Sequence, residues 1–346
     1  MYILHTSLLF LKTIQTSFVA KENVFLYYTR MPHNFDVVCV GNAKIDTFLT
    51  LHEANDHLRV LKETNELCIK LGDKVTVDRA EILLGGNAAN VSVGTSRLGL
   101  ETALVAEIGK DEFAQRIINT LSKENVNTQK VSQTEGQQSS FSTIINYKNE
   151  RTIFSEHVQR KHDFNFEDIS TKWIYLTSLG EDWTNAYSKT VDFIKKTEAK
   201  LAFNPGHLQI KSGRNSIENV LSITDLFFVN KDEAEDLLGY HHGEKNVEEI
   251  IVNLQKLGPK IIVITDGKNG SYVIDEKGNI LKEGILEAKA VEKTGAGDAY
   301  SSGFLSAILH EKSIKEAMAW GTKNSASVIG KIGAQAGLLY ETDFEN

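Results

Sequence analysis

Near its C-terminal end the chain reads Lys293-Thr294-Gly295-Ala296-Gly297-Asp298-Ala299-Tyr300, a glycine-rich turn that delivers one carboxylate onto the start of an apolar helix. Phosphoryl transfer to a hydroxyl needs that pairing of parts. Two of the three residues Gly295, Ala296 and Gly297 lack a β-carbon, so their N–H groups can approach an anion closely, and the following helix adds the positive end of its dipole. Asp298 then sits beside the anion as a general base. The same residues also suit a plain helix cap, with Asp298 only accepting N–H bonds, so the rest of the chain must decide.

A second glycine element, Gly85-Gly86-Asn87-Ala88-Ala89-Asn90-Val91, opens another helix. Its small residues let the helix start lie against a ligand. Asn87 and Asn90 supply donors and acceptors within one turn, which suits sugar hydroxyls, although Asn87 also fits as an N-cap and Asn90 as a satisfied polar residue on a packed face. Upstream, Asn42 and Asp46 follow the first strand. An Asp four residues beyond an Asn can clasp two vicinal hydroxyls or simply make a turn. No Gly-x-x-x-x-Gly-Lys-Ser/Thr occurs, and Tyr300 stands where a Gly-x-Gly-x-x-Gly begun at Gly295 needs its last glycine. Neither a P-loop nor a dinucleotide-binding dehydrogenase is supported.

The elements that must position these residues alternate in type. Short, nearly continuous apolar runs at Phe35–Val40, Thr102–Ile108, Trp173–Leu176, Lys200–Phe203, Leu226–Val229 and Lys260–Thr265 predict strands covered on both faces. Helical patterns lie between them at Asn87–Leu98, Asp111–Leu121, Asn185–Lys196, Lys231–Leu238 and Val247–Leu257. Such alternation predicts an α/β fold, a doubly wound, mostly parallel sheet flanked by helices, with ligands at the C-terminal strand ends. Two segments, about 47–84 and 139–154, break the alternation with period-2 stretches such as Cys68-Ile69-Lys70 and Lys74-Val75-Thr76-Val77. They predict a small separate β-sheet placed as a lid over the ligand loops.

Composition limits the partners. A formal charge of -8 with no basic block argues against nucleic acid and anionic membrane, and favours small molecules. Two cysteines, Cys39 and Cys68, are too few for a disulfide framework and fit a reducing cytoplasm. The apolar run Ser7–Leu11 is interrupted by Lys12 and is too short to span a bilayer. Residues 1–33 therefore read as a dispensable N-terminal extension, and 34–342 as the working domain.

Taken together, Gly85-Gly86-Asn87-Ala88-Ala89-Asn90 and Thr294-Gly295-Ala296-Gly297-Asp298-Ala299 resemble the two signatures of the ribokinase-like, or PfkB, carbohydrate kinase family. The likeness covers roughly 35–340. Landmarks between them fall in family order: Gly41-Asn42 with Asp46, Gly109-Lys110-Asp111, Glu150-Arg151-Thr152, Asn230 with Glu233, Thr265-Asp266-Gly267 with Gly270, and Gly333-Ala334. The resemblance implies an ATP-dependent kinase for a primary hydroxyl of a sugar or nucleoside, with a β lid. It implies Asp298 as general base and Gly295, Ala296 and Gly297 as the anion hole. Asp46, Gly85, Gly86, Asn87 and Asn90, with Asn42 nearby, match positions around the acceptor. Asn230 and Glu233 match the pair that organises Mg²⁺, through water, and Thr265, Gly267 and Gly270 match the ATP loop. Asn324 lies on the helix that borders adenine.

Departures from the pattern bear on the details. Where relatives commonly have Asp-Thr-Thr, with the Asp helping to bind a monovalent cation, this chain has Glu292-Lys293-Thr294. Lys293 is expected near Glu292, pairing with it or standing in for the ion, which puts activation by K⁺ in question. Asn87 supplies no charge where some relatives have lysine, so an unphosphorylated sugar, ribose or a ketohexose, is expected ahead of a sugar phosphate, with a nucleoside as the alternative. His157 and Arg160 fit either as lining of that pocket or as solvated residues. A non-catalytic sugar sensor on the same scaffold is disfavoured by the intact Asp298. Leu51, Leu58, Val60 and Leu61 fit either as a cover for a partner's lid in a homodimer or as residues folded back into the core. A chain starting at Met31 is expected to keep full kinase activity, and loss of soluble protein on that truncation overturns the assignment of residues 1–30.

Overall fold

The computed structural model describes residues 33–51, 58–64, 66–148, 150–156 and 158–344. The proposed N-terminal extension, save its last residue, and His157 lie outside the described residues. The main sheet has nine strands, ordered from one edge Ile280–Glu283, Ser271–Ile274, Ile261–Thr265, Leu226–Asn230, Lys200–Asn204, Ile169–Thr177, His33–Val40, Thr102–Gly109 and Asn127–Thr134. Only the first two run antiparallel to their neighbours; every other pair is parallel.

The apolar runs are continuous because both faces of this sheet are covered. In His33–Val40, Val37 and Cys39 enter one buried cluster, beneath the helices Asn87–Arg97, Glu112–Lys123, Ala296–Leu309 and Ile314–Ile329. Val38 and Val40 enter the other, beneath Trp183–Lys196, Arg214–Leu221, Lys231–Leu238 and Val247–Gln255. The expected strand Trp173–Leu176 extends to Ile169–Thr177, because its polar start pairs in register with His33, Asn34 and Phe35, beyond the apolar run.

The order of the strands reverses at His33–Val40. From it the chain passes to Thr102–Gly109 and Asn127–Thr134 on one side, then returns to Ile169–Thr177 on the other. A reversal of this kind opens a crevice at the carboxyl ends of the two strands involved. A β-carbon on Gly41, just past the first of them, would lie 2.9 Å from Thr177 Cγ2 and 3.1 Å from the Ser178 carbonyl oxygen. The two strand ends therefore meet at closest backbone approach, and the signature helix Asn87–Arg97 starts beside them.

The lid is a four-stranded sheet, ordered Val77–Gly85, Lys44–Leu51, Phe141–Tyr147 and Glu150–Ser155. It begins at Lys44, three residues earlier than expected, so Asp46 is a lid residue and not part of a turn. Cys68 belongs elsewhere: Glu66–Ile69 pairs with Leu58–Leu61 in a separate two-stranded sheet, and Lys74–Thr76 forms no strand. The root of the second lid segment is tied to the main domain by Asp111. Its carboxylate caps the helix Glu112–Lys123 through the Ala114 N–H at 2.8 Å and accepts from the Ser139 N–H and hydroxyl at 2.8 and 2.7 Å. Of the four residues proposed to cover a partner's lid, Leu58 is buried within this chain, while Leu61 is exposed. No helix among the described residues is long and apolar enough to cross a membrane.

Candidate active site

Glycines create the site by letting backbone and carboxylate interpenetrate. A β-carbon on Gly85 would fall 1.9 Å from Asp46 Oδ2, so the lid carboxylate lies directly on that residue. Gly86 has φ 95°, and a β-carbon there would meet the Asn42 carbonyl oxygen at 2.5 Å. No L side chain fits either requirement without displacement. The helix beginning at Asn87 is thus pressed against the loop Asn42–Ala43.

The two signature asparagines and the signature aspartate meet. Asn87 Nδ2 donates to Asp298 Oδ1 at 3.1 Å, and Asn90 Nδ2 donates to Asp298 Oδ2 at 2.8 Å. Both amides are locked in that orientation from behind, since Ser178 Oγ donates to Asn87 Oδ1 at 2.9 Å and Gln335 Nε2 to Asn90 Oδ1 at 2.9 Å. Asn87 is therefore not an N-cap; Gly86 takes that place without a side-chain bond. Asp298 is buried, and burial pushes its pKa up to about 6, with the two amide bonds pulling the other way. A carboxylate in this state is a base near neutral pH.

The loop preceding it holds an αL residue, Gly295 (φ 80°), whose β-carbon would strike Ala334 Cβ at 2.4 Å. Ala296 N–H turns back to the Lys293 carbonyl at 3.3 Å, whereas the N–H groups of Gly297 and Asp298 have no backbone partner among the described residues. The Gly295 N–H likewise has no backbone partner among the described residues, so of the expected set only Ala296 is turned inward. A β-carbon on Gly297 would meet nothing within 4 Å. It opens into a cleft of about 1040 Å³ that runs from Ala296 and Gly297 past Asn230, Thr265, Gly267 and Gly270. The expected nucleotide loop and anion loop therefore share one cavity.

Two expectations are corrected. Asn324 does not border the cleft: it is fully buried, donating to the Ala299 carbonyl at 2.9 Å and Ser302 Oγ at 3.2 Å and accepting from Leu339 N–H at 2.9 Å. Its neighbours Thr322, Ser325 and Ala326 line the cleft instead. Lys293 does not approach Glu292. Its Nζ pairs with Glu150 on the lid at 2.8 Å, and the cation nearest Glu292 is Arg151, Nε to Oε1 3.7 Å. Asn230 and Glu233 first of all form a capping box, with Asn230 Oδ1 accepting Glu233 N–H at 2.8 Å and Glu233 Oε2 accepting Asn230 N–H at 2.9 Å. Asn230 also lines the cleft. Arg160 is not solvated but buried, donating to the side chain of Gln137 and the carbonyl of Gln138.

Several residues of the site carried no sequence signal of their own. Ser178 follows a strand end and Gln335 follows Gly333-Ala334, so only their neighbours marked them. Lys44 lies on the lid strand two residues before Asp46, with Nζ 3.2 Å from Ser155 Oγ. Burial raises the Asp46 carboxyl, and the Lys44 charge opposes that rise, as it also does at Asp298. Asp46 Oδ1 is buried with no hydrogen-bond partner among the described residues. An unpaired buried carboxylate oxygen calls for a donor such as a hydroxyl.

Comparison with known proteins agrees with this geometry. The pattern of the pfkB family carbohydrate kinases matches residues 36–340. The chain is 27% identical over 281 residues to the ribokinase of Haemophilus influenzae, covering 78% of this chain and 88% of the relative. It is 24% identical over 315 residues to a nucleoside kinase of Methanothermobacter thermautotrophicus, covering 89% and 94%. The fold is similar to that of Arabidopsis thaliana ribokinase complexed with ribose and ATP, with a TM-score of 0.73, 17% identity and coverage of 90% and 98%.

Two measurements check the site. The turnover rate is expected to fall on the acid side with a midpoint near the Asp298 value of about 6, and Asn90→Ala, which removes a donor to the ionised form, is expected to move that limb to higher pH. An unmoved limb contradicts the assignment of the base. Gly297→Ala adds a methyl only to the cleft, so it is expected to leave the melting temperature unchanged or raised while weakening kcat/KM for ATP by about 10-fold or more.

Proposed function

Because the chain belongs to the pfkB family of carbohydrate kinases, we propose that it catalyses ATP-dependent phosphorylation of a hydroxymethyl group on an unphosphorylated sugar of the ribose or ketohexose kind. The observation that carries this reading is the buried Asp298 carboxylate held by Asn87 and Asn90, on the same helix start that turns Gly297 toward the cleft. One short segment thus faces acceptor and donor together.

In this reading the acceptor lies over Asn42, Gly86, Asn87 and Asn90, with the unpaired Asp46 oxygen accepting from one of its hydroxyls. The reacting hydroxyl displaces an asparagine amide from Asp298 and gives its proton to that carboxylate as its oxygen bonds to the γ-phosphorus. The bond from the γ-phosphorus to the bridging oxygen breaks, and ADP leaves. The open N–H groups of Gly297 and Asp298 take the charge that grows on the transferring phosphoryl group. Mg²⁺ enters as the counter-ion of the nucleotide. Since the carboxylate of Glu233 already accepts the Asn230 N–H, that pair would meet the ion through its water shell.

The pocket charge supports a neutral acceptor, because Asp46 and Asp298 outnumber Lys44. The nucleoside kinase relative keeps a nucleoside as the alternative. ADP release from Mg-ATP over a panel of pentoses, ketohexoses and nucleosides separates these readings. Turnover is expected on a neutral sugar, and Asp298→Asn is expected to lower kcat by about 10²–10⁴-fold with the sugar still bound. Turnover confined to nucleosides replaces the acceptor assignment. Sugar binding without any turnover identifies a sensor.

A further inference from the structure

The lid and the phosphate loop are joined by two reciprocal ion pairs. Consecutive lid residues Glu150 and Arg151 face consecutive loop residues Lys293 and Glu292, with Lys293 Nζ 2.8 Å from Glu150 Oε1 and Arg151 Nε 3.7 Å from Glu292 Oε1. The two pairs differ in kind. Lys293 and Glu150 are both largely exposed, so solvent screens them and their energetic weight is small. Glu292 is only 2% exposed, and its Oε2 is buried with no hydrogen-bond partner in the chain.

A carboxylate in such a place is costly unless a cation faces it. Among the described residues, Arg151 is the one cation within ion-pair distance of Glu292. Glu292 meanwhile shapes the loop. Its Oε1 accepts the Thr294 N–H at 2.7 Å and the Thr294 hydroxyl at 2.6 Å. Its own N–H and that of Val291 are tied to the Ile329 carbonyl at 3.1 and 2.7 Å. Thr294, held in this way, stands immediately before the αL residue Gly295, which opens the helix carrying the unpaired N–H groups of Gly297 and Asp298. The chain of contacts therefore runs from the lid through Arg151 and Glu292 to Thr294 and the phosphate donors.

We infer that Arg151 is a positioning residue for phosphoryl transfer, a cation supplied by the lid that holds the Glu292 carboxylate in place, so that seating the lid over an acceptor sets the shape of the phosphate loop. This rests on the reading of Gly295–Asp298 as the phosphate site. Without Arg151, the buried Glu292 carboxylate loses the cation that faces it and swings out, and Thr294 loses its clamp. The lid thereby couples acceptor binding to the chemical step, beyond excluding water.

The test is a set of variants assayed for kcat and both KM values, with the melting temperature as a control. Arg151→Ala is expected to lower kcat by about 10- to 100-fold, the range for disturbing an oxyanion donor, with acceptor KM changed by less than about threefold. Arg151→Lys is expected to recover much of the loss. Adding Glu292→Gln to Arg151→Ala is expected to restore kcat, because a neutral amide still accepts from Thr294 and needs no cation. Unchanged kcat in Arg151→Ala overturns the inference, as does a loss confined to acceptor KM, or a double variant as slow as the single one. Asp298→Asn, assayed alongside, separates the two layers. If it stays active, the reading of the phosphate site itself fails; if it is inactive while Arg151→Ala is normal, only the role of Arg151 fails.

Discussion

The whole site depends on keeping one carboxylate ionised in a place without water. Burial raises the Asp298 pKa from 3.8 to about 6, which corresponds to roughly 3 kcal/mol against the charged form at about 1.4 kcal/mol per unit. Full burial of an unassisted carboxylate shifts it further, by up to about 3–5 units, so the two amide donors and the helix start offset part of the cost. The remainder is useful. An aspartate left near its solution value would be too weak a base for a sugar hydroxyl, and one fully neutralised would accept no proton at neutral pH.

That constraint accounts for features that look unrelated along the chain. Asn87 and Asn90 must present N–H and not C=O to Asp298, and an amide has no intrinsic preference. Ser178 and Gln335 settle it, each by donating to the amide oxygen. Gln335 is in turn held because Arg97 grips its segment, with Nη1 2.9 Å from both the Gln335 and Leu338 carbonyls and a two-point contact to Glu124. A third support is the buried Asn324, which fixes Leu339 and joins it to the helix of Asp298. Asp298 is thus held through its two amide donors and through the helix that carries it.

This explains what was legible in the sequence. The sheet was readable because strands buried on both faces must be continuously apolar, as Val37 to Val40 show. The two glycine signatures were readable because only glycine tolerates the close approaches at Gly85, Gly86 and Gly295. Asn324 misled because a polar residue on a helix beside a site looks the same in sequence whether it faces a ligand or a buried carbonyl. Lys293 misled for a different reason. Proximity in sequence to Glu292 suggests pairing, but neighbouring residues leaving a loop point apart, and the lid strand Glu150–Ser155 supplies partners in the opposite order. Contacts between segments more than a hundred residues apart leave no local pattern.

In the proposed reading, charge bears on the choice of acceptor. Asp46 and Asp298 place two carboxylates around the crevice, and Lys44 is the cation whose field reaches both. Two like charges about 4 Å apart interact by roughly 4 kcal/mol at the effective dielectric of a protein surface, so an anionic acceptor meets repulsion that one ammonium does not cancel. Arg160 is bound to Gln137 and Gln138, and Arg151 faces Glu292 at the edge of the nucleotide cleft. In the proposed reading, negative charge is concentrated where a hydroxyl is gripped and deprotonated, and the open N–H groups of the same turn receive the phosphate. The turn from Gly295 to Asp298 then lets one helix start serve both substrates.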